Sequence, residues 1–150
     1  MSDLIIICGI EDVLCPDILE NKDVTDSREK ARWAVSNIFH YPWIKKKSEI
    51  FSRAEHVYFV TKREPWLIDV SIVWIYKHVP WLDFFEIIHL DFENPDQKYP
   101  DKVKKIETIC ESYKDADLVL IDNDPSIIEH FQQKYPAITS ILIDNGKIVS

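Results

Sequence analysis

Polar and charged residues follow three apolar runs of this chain, at the point where each run ends. They occupy positions 9–12 (G-I-E-D), 61–64 (T-K-R-E) and 122–124 (D-N-D). Carboxylates transfer protons and bind cations, whereas hydroxyl groups and basic side chains bind anions. If the apolar runs are parallel strands, all three segments lie at the sheet edge where such folds bind their ligands. We therefore expect the chemistry of the chain at that edge.

The apolar runs predict buried β-strands, because they are short, rich in Ile, Val and Phe, and continuous rather than alternating. These strands are predicted over residues 4–8, 57–61, 84–90, 118–121 and 140–143. Helix start signals between them predict helices over residues 28–39, 66–78, 102–113 and 126–134. The alternation predicts a single α/β domain over residues 1–150, with a five-stranded, mainly parallel sheet, helices on both faces and strand 4–8 near the centre.

Composition narrows the class of protein. The chain has 150 residues, 46% hydrophobic and 29% charged, with a net charge of -8. These values exclude a disordered or fibrous chain, and the acidic balance argues against non-specific nucleic-acid binding. The three cysteines lack the spacing of a disulfide scaffold or a zinc site, so we expect a cytoplasmic protein. The longest apolar stretch, 66–81, contains charged residues and is shorter than the roughly 20 residues that span a bilayer, so no membrane partner is expected.

Taken in order, the polar segments resemble the motifs of the haloacid dehalogenase (HAD) superfamily of phosphatases. The first motif, a strand followed by D-x-D-G-T/V-L, is matched by L-I-I-I-C-G-I-E-D-V-L at positions 4–14. The second, a strand ending in Ser or Thr, is matched by V-Y-F-V-T, and the K-R-E that follows is similar to a stretch of phage polynucleotide kinase 3'-phosphatase domains. The third is a lysine near a helix start, in P-D-K-V-K-K-I, and the fourth is V-L-I-D-N-D-P.

This resemblance implies a HAD-like Rossmannoid fold in which residues 15–53 form a minimal helical cap. It also implies roles for individual residues. Thr61, Lys62, Arg63 and Lys102 would bind phosphate, and Asp122, Asn123 and Asp124 would bind magnesium.

The first motif departs from the family pattern. In active members its first Asp attacks phosphorus and its second Asp acts as acid and base, but here these positions hold Gly9 and Glu11. We therefore expect a catalytically impaired protein that binds a phosphorylated small molecule or nucleotide, or a protein partner, and binds magnesium weakly or not at all. The alternative is a magnesium-dependent phosphatase or nucleotidase in which Glu11 activates water directly, beside the Asp122-Asn123-Asp124 cluster.

Plainer interpretations of the same residues stay open. Gly9 is also consistent with a simple turn residue, and Thr61 with a strand-end hydroxyl. Lys102 lies near Lys104 and Lys105, as expected for a solvated helix face. Asp122 and Asp124 are also typical of residues that cap the helix opening at Pro125.

Tryptophans recur after the second motif at positions 66, 74 and 81. This spacing is compatible with one aromatic stripe on a helix. Such a stripe would serve core packing or, alternatively, a surface for a protein partner, self-association or base stacking. The sequence leaves Trp66, Trp74 and Trp81 open to each of these interpretations.

Overall fold

The sheet contains five parallel strands and one short antiparallel strand. The computed structural model describes residues 3–16, 29, 39–63, 67–79, 82, 84–90 and 98–149. The strands in this part of the chain are β1 (Leu4–Gly9), β2 (His56–Thr61), β3 (Phe85–His89), β4 (Asp117–Asp122), β5 (Thr139–Asp144) and β6 (Lys147–Ile148). Their order across the sheet is β3-β2-β1-β4-β5-β6. The predicted α/β class and the central position of the first strand are confirmed.

Helices pack on both faces of this sheet. They are α1 (Trp43–Lys46), α2 (Ser48–Arg53), α3 (Ile68–His78), α4 (Lys98–Ser112) and α5 (Pro125–Lys134). Ile6 and Cys8 of β1 point into a core shared with α1, α2 and α3. Ile5 and Ile7 point into a second core, shared with α4 and α5. Because successive strand residues point to opposite faces, a continuous apolar run serves both cores.

The prediction of five strands is wrong by one, because β6 pairs antiparallel with the end of β5. Asn145 and Gly146 join the two strands, with φ angles of 50° and 77°. Left-handed backbone at two successive residues is what a tight hairpin requires, and Asn-Gly is the favoured pair for it. The ring of Tyr41 lies directly against Gly146, where an added Cβ would come within 2.8 Å of Tyr41 Cγ. The second glycine of the chain is therefore required for both the turn and its packing.

Several predicted boundaries differ from the structure. Apart from residues 29 and 39, the helix predicted over 28–39 lies outside the described residues, and so do Trp66 and Trp81. Helix α3 begins at Ile68, and α4 begins at Lys98, ahead of the predicted start. Between residues 15 and 53 the described part contains two short helices, α1 and α2. Across the described residues, no helix has the length and apolar character needed to cross a membrane.

Candidate functional site

The register of the three central strands brings the predicted site residues to one edge of the sheet. Gly9 lies opposite Val60, so Thr61 stands one residue beyond it. Cys8 lies opposite Ile121, which places Asp122 level with Gly9 on the other side. Strand order reverses around β1, and in open α/β sheets this is where the ligand crevice forms.

A tight turn after β1 holds the first segment in place. The main-chain N-H of Ile10 donates to the carbonyl of Val60 at 3.1 Å, and that of Leu14 donates back to Ile10 at 2.9 Å. Asp12 has a φ angle of 60°, a left-handed conformation that short acidic residues tolerate better than most. The turn therefore holds Asp12 in a backbone conformation that most residues with a side chain disfavour.

Glu11 points from this turn toward the end of β2. Its carboxylate accepts a short hydrogen bond from the hydroxyl of Thr61 and a long one, 3.5 Å, from the main-chain N-H of Lys62. Its Oε1 also lies 3.5 Å from Nε of Arg63. The Glu11 side chain is 7% exposed. The predicted acid-base residue is therefore held by the very segment predicted to bind phosphate.

Arg63 is a buried cation rather than an open phosphate ligand. It is 1% exposed, and its Nη1 donates to the hydroxyl of Ser71 at 3.0 Å. Its main-chain N-H donates to Thr61 Oγ1 at 3.1 Å. Among the described residues, neither Nε nor Nη2 has a hydrogen-bond partner. Since a buried charge needs a counter-ion, Arg63 and Glu11 stabilise one another at the base of the site.

Sequence reasoning missed the part played by Ser71. It is fully buried on α3, a helix whose other buried residues are mainly apolar or aromatic. A buried hydroxyl needs a hydrogen-bond partner, so a serine among such residues indicates a polar group nearby. That pattern was the available signal for a buried partner such as Arg63.

Lys102 and Asp122 form a second ion pair at the edge of the site. Lys102 Nζ lies 2.6 Å from Asp122 Oδ2, and Asp122 is 1% exposed. The other carboxylate oxygen, Oδ1, accepts the main-chain N-H of Asp124 at 2.9 Å. The solvated-face interpretation of Lys102 is therefore wrong, because its side chain is only 17% exposed and reaches the strand ends.

The residues predicted to bind magnesium do not form a metal site in this arrangement. Asp124 caps α5 by accepting the main-chain N-H of Ser126 at 2.9 Å, and Asn123 is exposed. Both oxygens of Asp122 and both of Glu11 already accept hydrogen bonds or ion pairs. Within the described ranges, no three His, Cys, Asp or Glu residues are grouped to hold a metal ion. In this arrangement the Asp122 and Glu11 carboxylates are engaged by donors of the protein itself.

Gly9 is required for close packing, and the interpretation of Gly9 as a turn residue is wrong. It lies within β1 and is not among the residues with positive φ. A Cβ built on it would lie 2.9 Å from Cγ2 of Val13 and 3.8 Å from Oδ2 of Asp122. A side chain at position 9 would therefore meet Val13 first, with Asp122 next nearest. The turn after β1 folds Val13 over this position, so any side chain there would have to displace Val13.

Cys8, the residue before Gly9, does not offer an alternative nucleophile. Cys8 is fully buried, and burial, with a further contribution from the charge of Asp122, holds the pKa of its thiol well above the ordinary value. A neutral thiol is a poor nucleophile.

Of the three tryptophans predicted to form a stripe, Trp74 lies among the described residues and is a core residue. It is 1% exposed, and its ring stacks on that of His78 with 4.4 Å between the ring centroids.

A cavity of about 100 Å³ opens at this edge of the sheet. Its polar lining combines acidic, basic and amide side chains: Glu11, Asp12, Lys62, Lys102 and Asn123. Gly9 also lines it. The cavity is below the roughly 300 Å³ at which pockets for drug-sized ligands begin. It admits a small charged group but not a whole nucleoside.

Comparison of the chain with protein-family models, curated proteins and solved structures finds no match. A function for this chain is therefore inferred from the geometry of these side chains.

Proposed function

We propose that this chain is a catalytically impaired protein of the HAD-like phosphatase type that binds the phosphate group of a ligand without hydrolysing it. The observation that carries the proposal is Gly9. At the end of the central strand, where Gly9 lines the cavity and lies near Asp122, this position supplies no functional group. A covalent phosphatase needs its nucleophile at that point.

Loss of turnover follows from the groups that remain. Removing the nucleophile of a covalent mechanism lowers the rate by a factor on the order of a million in another hydrolase, which serves here as a scale. Glu11 does not replace it, because its carboxylate is engaged by Thr61 and Arg63. Cys8 does not replace it either, because its thiol is buried and protonated.

Binding is supported by the hydrogen-bond donors around the cavity and by its size. Lys62 and Lys102 line it, and the hydroxyl of Thr61 and the main-chain N-H of Lys62 are available as anion donors once Glu11 is displaced. A volume of about 100 Å³ suits a phosphate group. The rest of a phosphorylated small molecule or nucleotide would lie outside the cavity.

To test binding, the wild-type chain is titrated with inorganic phosphate and with nucleoside monophosphates. Binding is measured as a change in Tm and as changes in NMR chemical shifts. We expect these compounds to raise the Tm and change the NMR chemical shifts of the wild type. Lys102→Met should abolish both effects, because this variant keeps the aliphatic stem of the side chain and loses its ammonium group. Lys104→Met is the matched control, since Lys104 is exposed on the same helix. If none of the phosphate compounds binds, the proposal is wrong, and a role in binding a protein partner becomes the better hypothesis.

The catalytic test is release of phosphate from a chromogenic ester and from 3'-phosphorylated oligonucleotides, with and without added magnesium. We expect no turnover above background. Turnover that Glu11→Gln abolishes would instead establish the alternative, a phosphatase in which Glu11 activates water.

Restoring the first motif tests the origin of the impairment. Gly9→Asp with Glu11→Asp recreates the two acids, but the new side chain at position 9 collides with Val13. We therefore expect the pair of substitutions to bind magnesium only when Val13→Ala is added. Isothermal titration calorimetry measures this, with the Val13→Ala single variant as the control. Magnesium binding no tighter in the triple variant than in that control would contradict the placement of Gly9 at the nucleophile position.

A further inference from the structure

We propose that the Glu11 carboxylate is the built-in occupant of an oxyanion-binding site, and that a phosphate group binds there only when Glu11 leaves. This inference rests on the proposed function and adds to it how the site is closed. The Glu11 carboxylate, which the turn after β1 carries, would then compete with the phosphate group for the same donors.

Three successive residues at the end of β2 direct donors at this one carboxylate. The hydroxyl of Thr61 donates to Oε1 and the main-chain N-H of Lys62 donates to Oε2, whereas Nε of Arg63 lies 3.5 Å from Oε1 as an ion pair without a hydrogen bond. Convergence of a hydroxyl, a main-chain N-H and a guanidinium on two oxygens is the pattern of a bound oxyanion. Glu11 comes from the turn after β1, fifty positions before Thr61 in the chain.

Burial explains why an anion must be present. Arg63 is 1% exposed, and Ser71, its other side-chain partner among the described residues, is uncharged. Without a counter-ion, this guanidinium would be a buried, unpaired charge. The site therefore requires an anion, and the turn after β1 supplies one.

The cavity places the same carboxylate within reach of an incoming ligand. Glu11 lines the cavity together with Lys62 and Lys102, whereas Thr61 and Arg63 do not. The Glu11 side chain thus lies between the open cavity and the buried donors. When this side chain is removed or moves away, the cavity extends to the donors of Thr61 and Arg63. The enlarged pocket then presents groups that suit a small oxyanion.

The experiment compares inorganic phosphate binding to the wild type and to Glu11→Ala at pH 7.5, by NMR titration of the Lys62 main-chain amide. We expect binding to Glu11→Ala to be tighter by about tenfold or more, because no charge-assisted hydrogen bonds need to be broken first. Formate, which replaces the missing carboxylate, should raise the Tm of Glu11→Ala and leave the wild-type Tm unchanged.

Two variants keep the test independent of folding and of overall charge. Glu11→Gln preserves the shape of the side chain and removes its charge, so it should tighten phosphate binding by a smaller factor. Glu49→Ala removes an exposed carboxylate on α2 and should bind phosphate as the wild type does.

The outcomes separate this inference from the proposed function. If the wild type binds phosphate and neither Glu11 variant binds it more tightly, the inference is wrong and the proposed function stands. If only the Glu11 variants bind, the inference is supported, but the native chain keeps its site filled and the proposed function is wrong. If no variant binds phosphate or responds to formate, both are wrong.

Discussion

Replacing Gly9 by alanine tests whether close packing is what this position requires. The backbone of Gly9 does not need a glycine, because its φ is not in the left-handed region. The added Cβ would lie 2.9 Å from Cγ2 of Val13, closer than carbon atoms approach in folded proteins. The approach to Asp122 Oδ2, at 3.8 Å, is an ordinary contact. Val13 therefore decides the outcome.

Two opposing effects set the magnitude. Alanine in an unstrained backbone stabilises a protein by about 0.4–1 kcal/mol relative to glycine, because the unfolded chain has less freedom to lose. Overpacking a buried site costs roughly 1–3 kcal/mol. Val13 is fully buried and β-branched, so it cannot rotate away easily. We expect Gly9→Ala to lower the free energy of unfolding by about 1–2 kcal/mol, since the steric cost exceeds the entropic gain.

Urea denaturation measures this free energy in the wild type, Gly9→Ala, Val13→Ala and the double variant. Val13→Ala alone should cost about 1–3 kcal/mol, because it leaves a cavity in the core. In the double variant the new methyl group occupies part of that space. Its loss of unfolding free energy should therefore be smaller than the sum of the two single-variant losses by about 1 kcal/mol or more. A Gly9→Ala protein as stable as the wild type, with additive losses, would refute the packing argument.

Three further predictions concern other contacts. Arg63→Met should destabilise the fold by about 3–5 kcal/mol in urea denaturation, because Glu11 loses its buried counter-ion; a neutral effect would contradict the ion pair. Gly146→Ala should cost roughly 1–3 kcal/mol or more, since it combines strain at a φ of 77° with a collision against Tyr41; unchanged stability would contradict both. The Nδ1 atoms of His40 and His78 lie 3.0 Å apart, and burial lowers the pKa of both side chains. Because the unfolded chain therefore binds protons more readily than the folded chain, stability should fall as the pH drops below about 6.5. His40→Asn should show a smaller fall in Tm between pH 7.5 and 5.5, and an equal fall would contradict this.

The sequence was sufficient for the fold class and for which polar segments meet at one edge of the sheet. Continuous apolar runs require burial on both faces, and alternation with helices requires a parallel arrangement, so the five parallel strands followed from local patterns. The sixth strand was also signalled, by Asn145-Gly146, because this dipeptide favours a tight hairpin. Since parallel strands bring their carboxyl ends to one edge, the proximity of Glu11, Thr61 and Asp122 followed from topology.

The state of that site was decided only by the tertiary structure. Whether Thr61 and Lys102 face solvent or a carboxylate depends on side-chain directions across different strands, which no local pattern specifies. The reason for Gly9 is likewise a contact, because Val13 reaches it only after the turn has folded back. Composition and periodicity fix which residues meet at the sheet edge. The three-dimensional packing fixes which charges neutralise one another there, because an ion pair depends on distances of a few ångströms between residues far apart in sequence.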